Sequence, residues 1–479
     1  MCRTNRNRPA GLTIAVYLAG LGLLLSLGAC SDRRDRPPNI LLITVDTLRA
    51  DRLHCYGCPV PTSPNVDALA AEGVLFSMCF AHASSTAPAL ASVMTGKYPT
   101  EAGVLNNTHP LSPAPDTLAA YLKRQDYVCA AFVSNFNLRR RMGFDRGFDH
   151  FDARLMEREL NRSGVPERTA EKTTDATIGW LERFYLKQKS DAARPFFIWV
   201  HYQDPHGPYT PPEDYLPPRD FYSDASRTLP LLAEDWGVGG IPAYQALGEH
   251  RNEAHYRACY DGEVLFCDRH LGRLVKFLET AGLGDDTMVV FTADHGESMG
   301  EHERYFSHEQ DLYNELIRVP LIITAPGIEP DRRDDIACHA DIFPTLAGVT
   351  PTADDGTGKH RGRDLLAPVS RGSRTARRPI FSETNFVAER TRYESLILGR
   401  WKLVRATTGE GVRQLFDLEA DLGETTNLAA SRGDVLKQME KLLKAEATKA
   451  QRAYRGTGPL ELSPTEREAL EALGYSDGS

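Results

Sequence analysis

Five short, almost uninterrupted apolar runs punctuate the chain, at residues 39–45, 127–133, 196–202, 287–292 and 319–324. They are shorter than usual helices and rich in Ile, Val and Phe, so each is expected to be a strand buried on both faces. Between them, residues 63–72, 116–124, 169–189, 256–281 and 341–348 carry helix-like patterns. Such alternation predicts an α/β fold, a mostly parallel central sheet flanked by helices. Residues 219–255 hold several Gly and Pro and read as an insertion that shapes a pocket. Beyond about residue 377 the pattern changes. Residues 379–383, 395–406 and 413–418 read as short antiparallel strands, and 434–454 as a helix. A main α/β domain over 39–370, a small C-terminal antiparallel-sheet module over 377–455 and a tail over 456–479 are therefore expected.

In open α/β sheets, ligands bind beyond the carboxyl ends of the strands. Three predicted strands run into Asp or His there: Asp46 after the first, Asp204 and His206 after the third, and Asp294-His295-Gly296-Glu297 after the fourth. One Asp after a strand is ordinarily a turn former or helix cap. Three such ends together supply the donors that suit Ca²⁺, Mg²⁺, Mn²⁺ or Zn²⁺. A hydroxyl joins them. Thr86 stands two residues before Pro88, which opens a helix-compatible run, and proline is favoured in a first helical turn. Thr86 is then expected at a helix N-terminus, where N–H groups and the dipole favour an anion.

Composition narrows the class. Hydrophobic and charged fractions of 41% and 25% are those of a globular protein, and the net charge of −9 argues against a nucleic-acid partner. Arg3, Arg6 and Arg8 precede an apolar run over 11–28 and the stretch Leu27-Gly28-Ala29-Cys30. These are the parts of an export signal. The ending resembles the bacterial lipoprotein signal, which implies lipidation at Cys30, a signal segment over 1–30 and a charged tether over 31–38. The expectation is an exported, membrane-anchored lipoprotein facing the periplasm or cell exterior. An uncleaved anchor is the other reading, although its apolar run is marginal against the roughly 20 residues that span a bilayer. Cys2 and Cys30 aside, seven cysteines remain, so at least one thiol has no internal partner. Cys55 and Cys58 read as a local disulfide or two unpaired thiols.

A family resemblance is carried by several stretches: 39–53 with Cys55-Tyr56-Gly57, Pro88 to Pro99, Gly143 to Asp149, His201 to Pro212, Asp294-His295-Gly296-Glu297, Glu315 to Pro320, and Leu415 to Leu418. In order and spacing, over about 38–430, they resemble the sulfatase family of the alkaline-phosphatase superfamily. The resemblance implies Asp46, Asp294 and His295 as ligands of one divalent metal, Thr86 at the nucleophile position and also on the metal, His206 as a substrate contact, and His308 near the leaving oxygen. Glu297 and His302 are expected behind these groups. A second cation on Asp204, His206 and His308 is a further reading.

The departures bear on substrate. Sulfatases carry Cys or Ser in Cys/Ser-x-Pro-x-Arg, which is oxidised to formylglycine, whereas this frame reads Thr86-Ala87-Pro88-Ala89-Leu90. The methyl group on the threonine β-carbon prevents oxidation to an aldehyde, so no formylglycine is expected, and Leu90 replaces the arginine. The Asp-Asp pair is Asp46-Thr47, the Asp-Asn pair is Asp294-His295, and Phe132-Val133-Ser134-Asn135 replaces the family's Gly-Lys-Trp-His-Leu-Gly segment. A threonine with Asp-His ligands resembles the phosphorus-processing relatives, so a phosphodiester or related phosphoester is the leading substrate. Sulfate-ester hydrolysis, phosphotransfer to a lipid or envelope glycan, and a binding-only pseudoenzyme are the alternatives. The substrate is expected to be a small-molecule, lipid or glycan ester.

Overall fold

The computed structural model describes residues 1, 36–161, 164–188, 194–222, 227–234, 236–351, 360–367, 378–386, 391–407, 411–461 and 464. Residues 2–30 of the expected signal segment and 31–35 of the tether lie outside the described residues, as does most of the tail. Among the described residues, no helix is long and apolar enough to cross a membrane.

Strands β1 (Asn39–Val45), β2 (Val74–Phe76), β3 (Val128–Val133), β4 (His150–Asp152), β5 (Phe196–Tyr202), β6 (Thr287–Ala293), β7 (Leu321–Thr324) and β8 (Asp331–Arg333) build one sheet. Its order is β8-β2-β7-β6-β1-β5-β3-β4. From β6 to β4 the strands are parallel, and β7 runs antiparallel to both β6 and β2. All seven residues of β1, β5 and β6 are buried, as their unbroken apolar sequences require. The strand expected over 319–324 is divided. Pro320 has no N–H for a ladder; Arg318–Val319 pairs with Cys79–Phe80 in a separate small sheet, while Leu321–Thr324 joins the main one.

Helices α1 (Pro64–Glu72), α2 (Thr86–Thr95), α3 (Leu118–Arg124), α4 (Ala170–Trp180), α5 (Glu253–Thr280) and α6 (Ile342–Gly348) form two packed groups: α1, α4 and α5, and α2, α3 and α6. The helix expected over 169–189 ends at Trp180 and continues as a wide turn over Leu181–Tyr185. Helix α5 begins at Glu253, where the Asn252 side chain accepts from the His255 N–H. The seven described cysteines are free thiols, so Cys55 and Cys58 are not joined.

The C-terminal sheet has four antiparallel strands in chain order: β9 (Ile380–Phe386), β10 (Thr391–Leu398), β11 (Trp401–Ala406) and β12 (Arg413–Asp417). The single strand expected over 395–406 is instead a hairpin, because Gly399 adopts φ 59° and reverses the chain. Helix α7 (Gly433–Ala453) sets Met439, Leu443 and Ala450 against Leu396, Leu403 and Leu415. Each large side chain buried there contributes about 1.5–3 kcal/mol. The sheet also supports a loop of the main domain. Fully buried Lys402 bonds Glu424 and Asn314, both at 2.8 Å, and the Thr384 hydroxyl donates to the Glu309 carbonyl at 2.8 Å.

Candidate active site

Registry brings the first residues together. Val45, the last residue of β1, pairs with Tyr202 of β5 on one side and Ala293 of β6 on the other. The three parallel strands therefore end level, and Asp46, Gln203 and Asp294 start adjacent loops at one sheet edge. Thr47, next to Asp46, has φ 53°, a conformation that a β-branched residue seldom adopts. Its N–H donates to Asp294 Oδ1 at 3.1 Å, stitching the β1 and β6 loops together. Gly296 allows the close approach beyond β6, since a side chain there would meet the Glu315 carbonyl oxygen at 2.0 Å.

Each buried carboxylate has one oxygen engaged and one open. Asp294 Oδ1 accepts from the Thr47 and His295 N–H groups, and Asp46 Oδ2 accepts from Asn135 Nδ2 at 2.5 Å. Among the described residues, Asp294 Oδ2 and Asp46 Oδ1 have no hydrogen-bond partner. His295 Nδ1 lies 3.0 Å from the Gly296 carbonyl, which can only accept, so Nδ1 carries the proton and Nε2 presents its lone pair. That lone pair is 3.8 Å from Asp46 Oδ1, 3.6 Å from Asp294 Oδ2 and 3.5 Å from Thr86 Oγ1. One ligand atom from each of Asp46, Asp294 and His295 lies within 4.8 Å of the others. Two open carboxylate oxygens and a bare imidazole nitrogen, all buried, suit a divalent cation.

The electrostatics agree with that fit. Burial pushes the Asp46 carboxyl well above its usual range, and burial with the Asp46 charge lifts Asp294 to about 6. Burial lowers His295 and His201 to about 4, leaving both neutral near pH 7. A cation would relieve the repulsion between the carboxylates.

Thr86 opens α2, all ten of whose residues are buried. Its helix end has fewer donors than the sequence suggested. The Ala87 N–H is spent on Asn107 Oδ1 at 2.9 Å, and Pro88 has none. Leu90 is packed in the core.

Around the mouth, His308 and His206 face each other with ring centres 5.2 Å apart, and His308 is 4.7 Å from His295. Glu297 Oε1 holds His308 Nδ1 at 3.0 Å, while Glu297 Oε2 accepts from the Tyr209 hydroxyl at 2.9 Å. The His308 proton on Nδ1 is thus fixed, so its other nitrogen is the one able to exchange a proton. His206 Nδ1 lies 2.8 Å from the Gly207 carbonyl. Glu297→Gln keeps an acceptor but removes the charge behind His308. It is expected to lower kcat about 10–100-fold and move the alkaline limb of the kcat–pH profile to lower pH, as read from a pH series on purified protein.

Two expectations fail. Asp204 Oδ2 accepts from the Ala170 N–H at 2.6 Å and the carboxyl shares a hydrogen bond with Glu263, so its carboxylate is engaged with α4 and α5. Among the described residues, the only cluster of three potential ligand atoms is Asp46, Asp294 and His295, so Asp204, His206 and His308 do not form a second one. His302 is also outside the site. It stacks on Tyr313 at 3.6 Å and bonds Glu315 at 2.8 Å, beneath the C-terminal sheet.

The structure adds Asn107, Asn135, His201 and Arg49, all buried. Only His201 had a readable signal, an imidazole within an otherwise apolar strand. Arg49 bonds Asp51, Glu301 and the Glu297 carbonyl, tying the β1 loop to the β6 loop. Burial pushes Glu301 up, but Arg49 overcomes this and holds it at about 2, against 4.5 for a free glutamate. Because the folded value is depressed, this contribution is present above about pH 4.5 and fades as pH falls toward 2. Melting temperature is expected to fall through that window less steeply in Glu301→Gln than in the parent, as followed by circular dichroism.

A family model described as Sulfatase matches residues 38–352. The chain is 28% identical over 453 residues to Choline-sulfatase of Rhizobium meliloti, covering 83% of this chain and 84% of that protein. It is 27% identical over 412 residues to Multifunctional alkaline phosphatase superfamily protein PehA of Trinickia caryophylli, covering 70% and 77%. The crystal structure of Phosphonate Monoester Hydrolase of Agrobacterium radiobacter matches with a TM-score of 0.66 at 25% identity, over 89% of this chain and 100% of that one. With its level strand ends, its Asp-Asp-His cluster and a family match across most of its length, the chain belongs to the sulfatase family, whose members hydrolyse ester bonds.

Proposed function

We propose that this chain is a metal-dependent hydrolase that cleaves a phosphodiester or related phosphoester through Thr86. The observation that carries this reading is the buried Thr86 hydroxyl, 3.5 Å from His295 Nε2 and beside two open carboxylate oxygens. Asp46, Asp294 and His295 would hold the cation, with Thr86 alongside. When bound, it supplies a lower hydroxyl pKa and neutralisation of charge developing on the ester oxygens.

Thr86 Oγ1 attacks phosphorus as the bond to the leaving oxygen breaks, and its proton leaves to water. His308, its Nδ1–H held by Glu297, protonates the departing oxygen from its other nitrogen. Water then attacks the phospho-threonine. Neutral His308 takes a proton from that water, and the Thr86 oxygen recovers one from solvent. His206 faces this exchange and contacts the remaining ester oxygens.

The largest charge effects on Asp46 and Asp294 come from neighbouring carboxylates and imidazoles, and among the described residues no Arg or Lys side chain hydrogen-bonds Asp46, Thr86, Asp294 or His295. A singly charged diester is therefore easier to seat than a doubly charged monoester. Sulfate esters carry the same single charge, and the relatives named as sulfatases favour them as a second reading. Threonine weighs against it. With one hydroxyl and a methyl on its β-carbon, a sulfated Thr86 could be released only by a second attack at sulfur. Lipid attachment at Cys30, outside the described residues, would hold the enzyme at a membrane, beside lipid or glycan esters.

Purified protein loaded with Mn²⁺, Zn²⁺ or Ca²⁺ should be assayed on nitrophenyl sulfate, phosphate monoester, phosphodiester and phosphonate esters in parallel. Phosphodiester turnover lost in both Thr86→Ala and Asp294→Ala is the expected result. Dominant sulfatase turnover that survives Thr86→Ala overturns the reading.

A further inference from the structure

Thr44 of β1 lies opposite His201 of β5, and with Trp199 all three are fully buried behind Asp46. The Trp199 indole N–H can only donate, and it donates to Thr44 Oγ1 at 2.9 Å. The Thr44 hydroxyl has one proton to give. His201 Nδ1 is 2.9 Å away and the Val200 carbonyl is at 3.5 Å, so the proton goes to Nδ1. His201 must then carry its own proton on Nε2. That nitrogen lies 3.5 Å from Asp46 Oδ2, a contact too poor for a hydrogen bond, and among the described residues it has no hydrogen-bond partner. The opposite tautomer would aim a lone pair at a carboxylate, which is unfavourable at this separation.

We infer that Trp199, Thr44 and His201 form a buried one-way hydrogen-bond relay, and that His201 is a positioning residue for Asp46. Asn135 Nδ2 bonds Oδ2, and the positive end of the His201 Nε2–H dipole lies 3.5 Å from the same oxygen without a hydrogen bond, leaving Oδ1 as the oxygen offered to a cation. The relay therefore selects how Asp46 binds metal, without itself touching metal or ester. The inference rests on Asp46 being a ligand, but not on which ester is cleaved.

Mn²⁺ titration of metal-free protein by calorimetry, together with histidine ¹⁵N NMR of the full chain, provides the test. His201→Phe is expected to weaken Mn²⁺ binding about 10–100-fold, and His201→Gln, whose amide can still donate, to recover part of the loss. Thr44→Val removes the hydroxyl that sets the tautomer and is expected to weaken binding similarly, although it reaches neither metal nor Asp46. NMR of the parent should show His201 protonated on Nε2, a measurement that stands even if a variant fails to fold. An Nδ1-protonated His201, or unchanged Mn²⁺ affinity in both His201→Phe and Thr44→Val, overturns the inference. If Asp294→Ala also leaves Mn²⁺ affinity unchanged, the metal site itself is wrong; if Asp294→Ala abolishes binding while those two variants do not, only the relay is wrong.

Discussion

Replacing Thr86 by alanine is expected to lower kcat by on the order of 10⁴-fold or more, because the group that forms the covalent bond is gone. The fold should persist. Thr86 is buried at the first turn of α2, and the contact of its hydroxyl with His295 is a long one, so little packing is lost. Thr86→Ser keeps the hydroxyl without the methyl and should retain activity within about 10-fold, a contrast that separates chemistry from packing. Steady-state kinetics with circular dichroism on all three proteins checks this. A Thr86→Ala enzyme with near-parental kcat would mean that the hydroxyl is not the nucleophile. Thr86→Cys should not by itself convert the protein into a formylglycine enzyme, because Leu90 stands in the core where the family has arginine.

The second large effect concerns Asp294, where activity and stability are expected to move in opposite directions. Asp294→Asn should abolish Mn²⁺ binding and reduce turnover by at least about 10³-fold, since a ligand oxygen is lost. Metal-free, the same variant should melt higher than the parent. Asn can still accept from the Thr47 and His295 N–H groups, and it no longer opposes the Asp46 charge. Burial and Asp46 raise the Asp294 carboxyl from 3.8 to about 6. Ionising it at pH 7 thus costs the folded state up to about 3 kcal/mol. A raised folded value means that the native state binds more protons than the unfolded chain between those limits. Metal-free parent protein should therefore lose stability as pH rises from about 4 to 6, with a flatter profile in Asp294→Asn. Saturating metal adds stability in proportion to the logarithm of its concentration over its dissociation constant, and should do so only in the parent. Calorimetric melts with and without Mn²⁺ read all four states, and a metal-free Asp294→Asn less stable than the parent would contradict the buried repulsion.

Much of this site was legible along the chain because strand ends are local features. The unbroken runs before Asp46 and Asp294 mark central strands, and the carboxyl end of a central strand is where a ligand must bind. His295 and His308 followed from the motif around them. Where residue type and position misled, the reason is physical. Asp204 has the right residue type at the right strand end, yet its carboxylate turned to the Ala170 N–H and Glu263, contacts formed only when α4 and α5 pack. His302 sits in a histidine-rich stretch, but Glu315 of the main domain and the Glu424 carbonyl in the loop after β12 hold it. The hairpin over 395–406 was hidden because Gly399 interrupts an otherwise continuous strand pattern.

The chain's own order of residues determined the alternation of strands and helices, the Asp and His residues at strand ends, and a threonine that cannot become an aldehyde. Those properties depend on residue type, short-range spacing and covalent chemistry, all present before folding. Tertiary structure decided which oxygen of each carboxylate stays open, which nitrogen of each imidazole carries its proton, and which distant side chains do the choosing. Asn135 and His201 at Asp46, Asn107 at the first turn of α2, and Glu297 behind His308 come from elements far apart in sequence. Hydrogen-bond direction is set by the nearest partner in space, and that partner exists only once β1, β5 and β6 lie side by side.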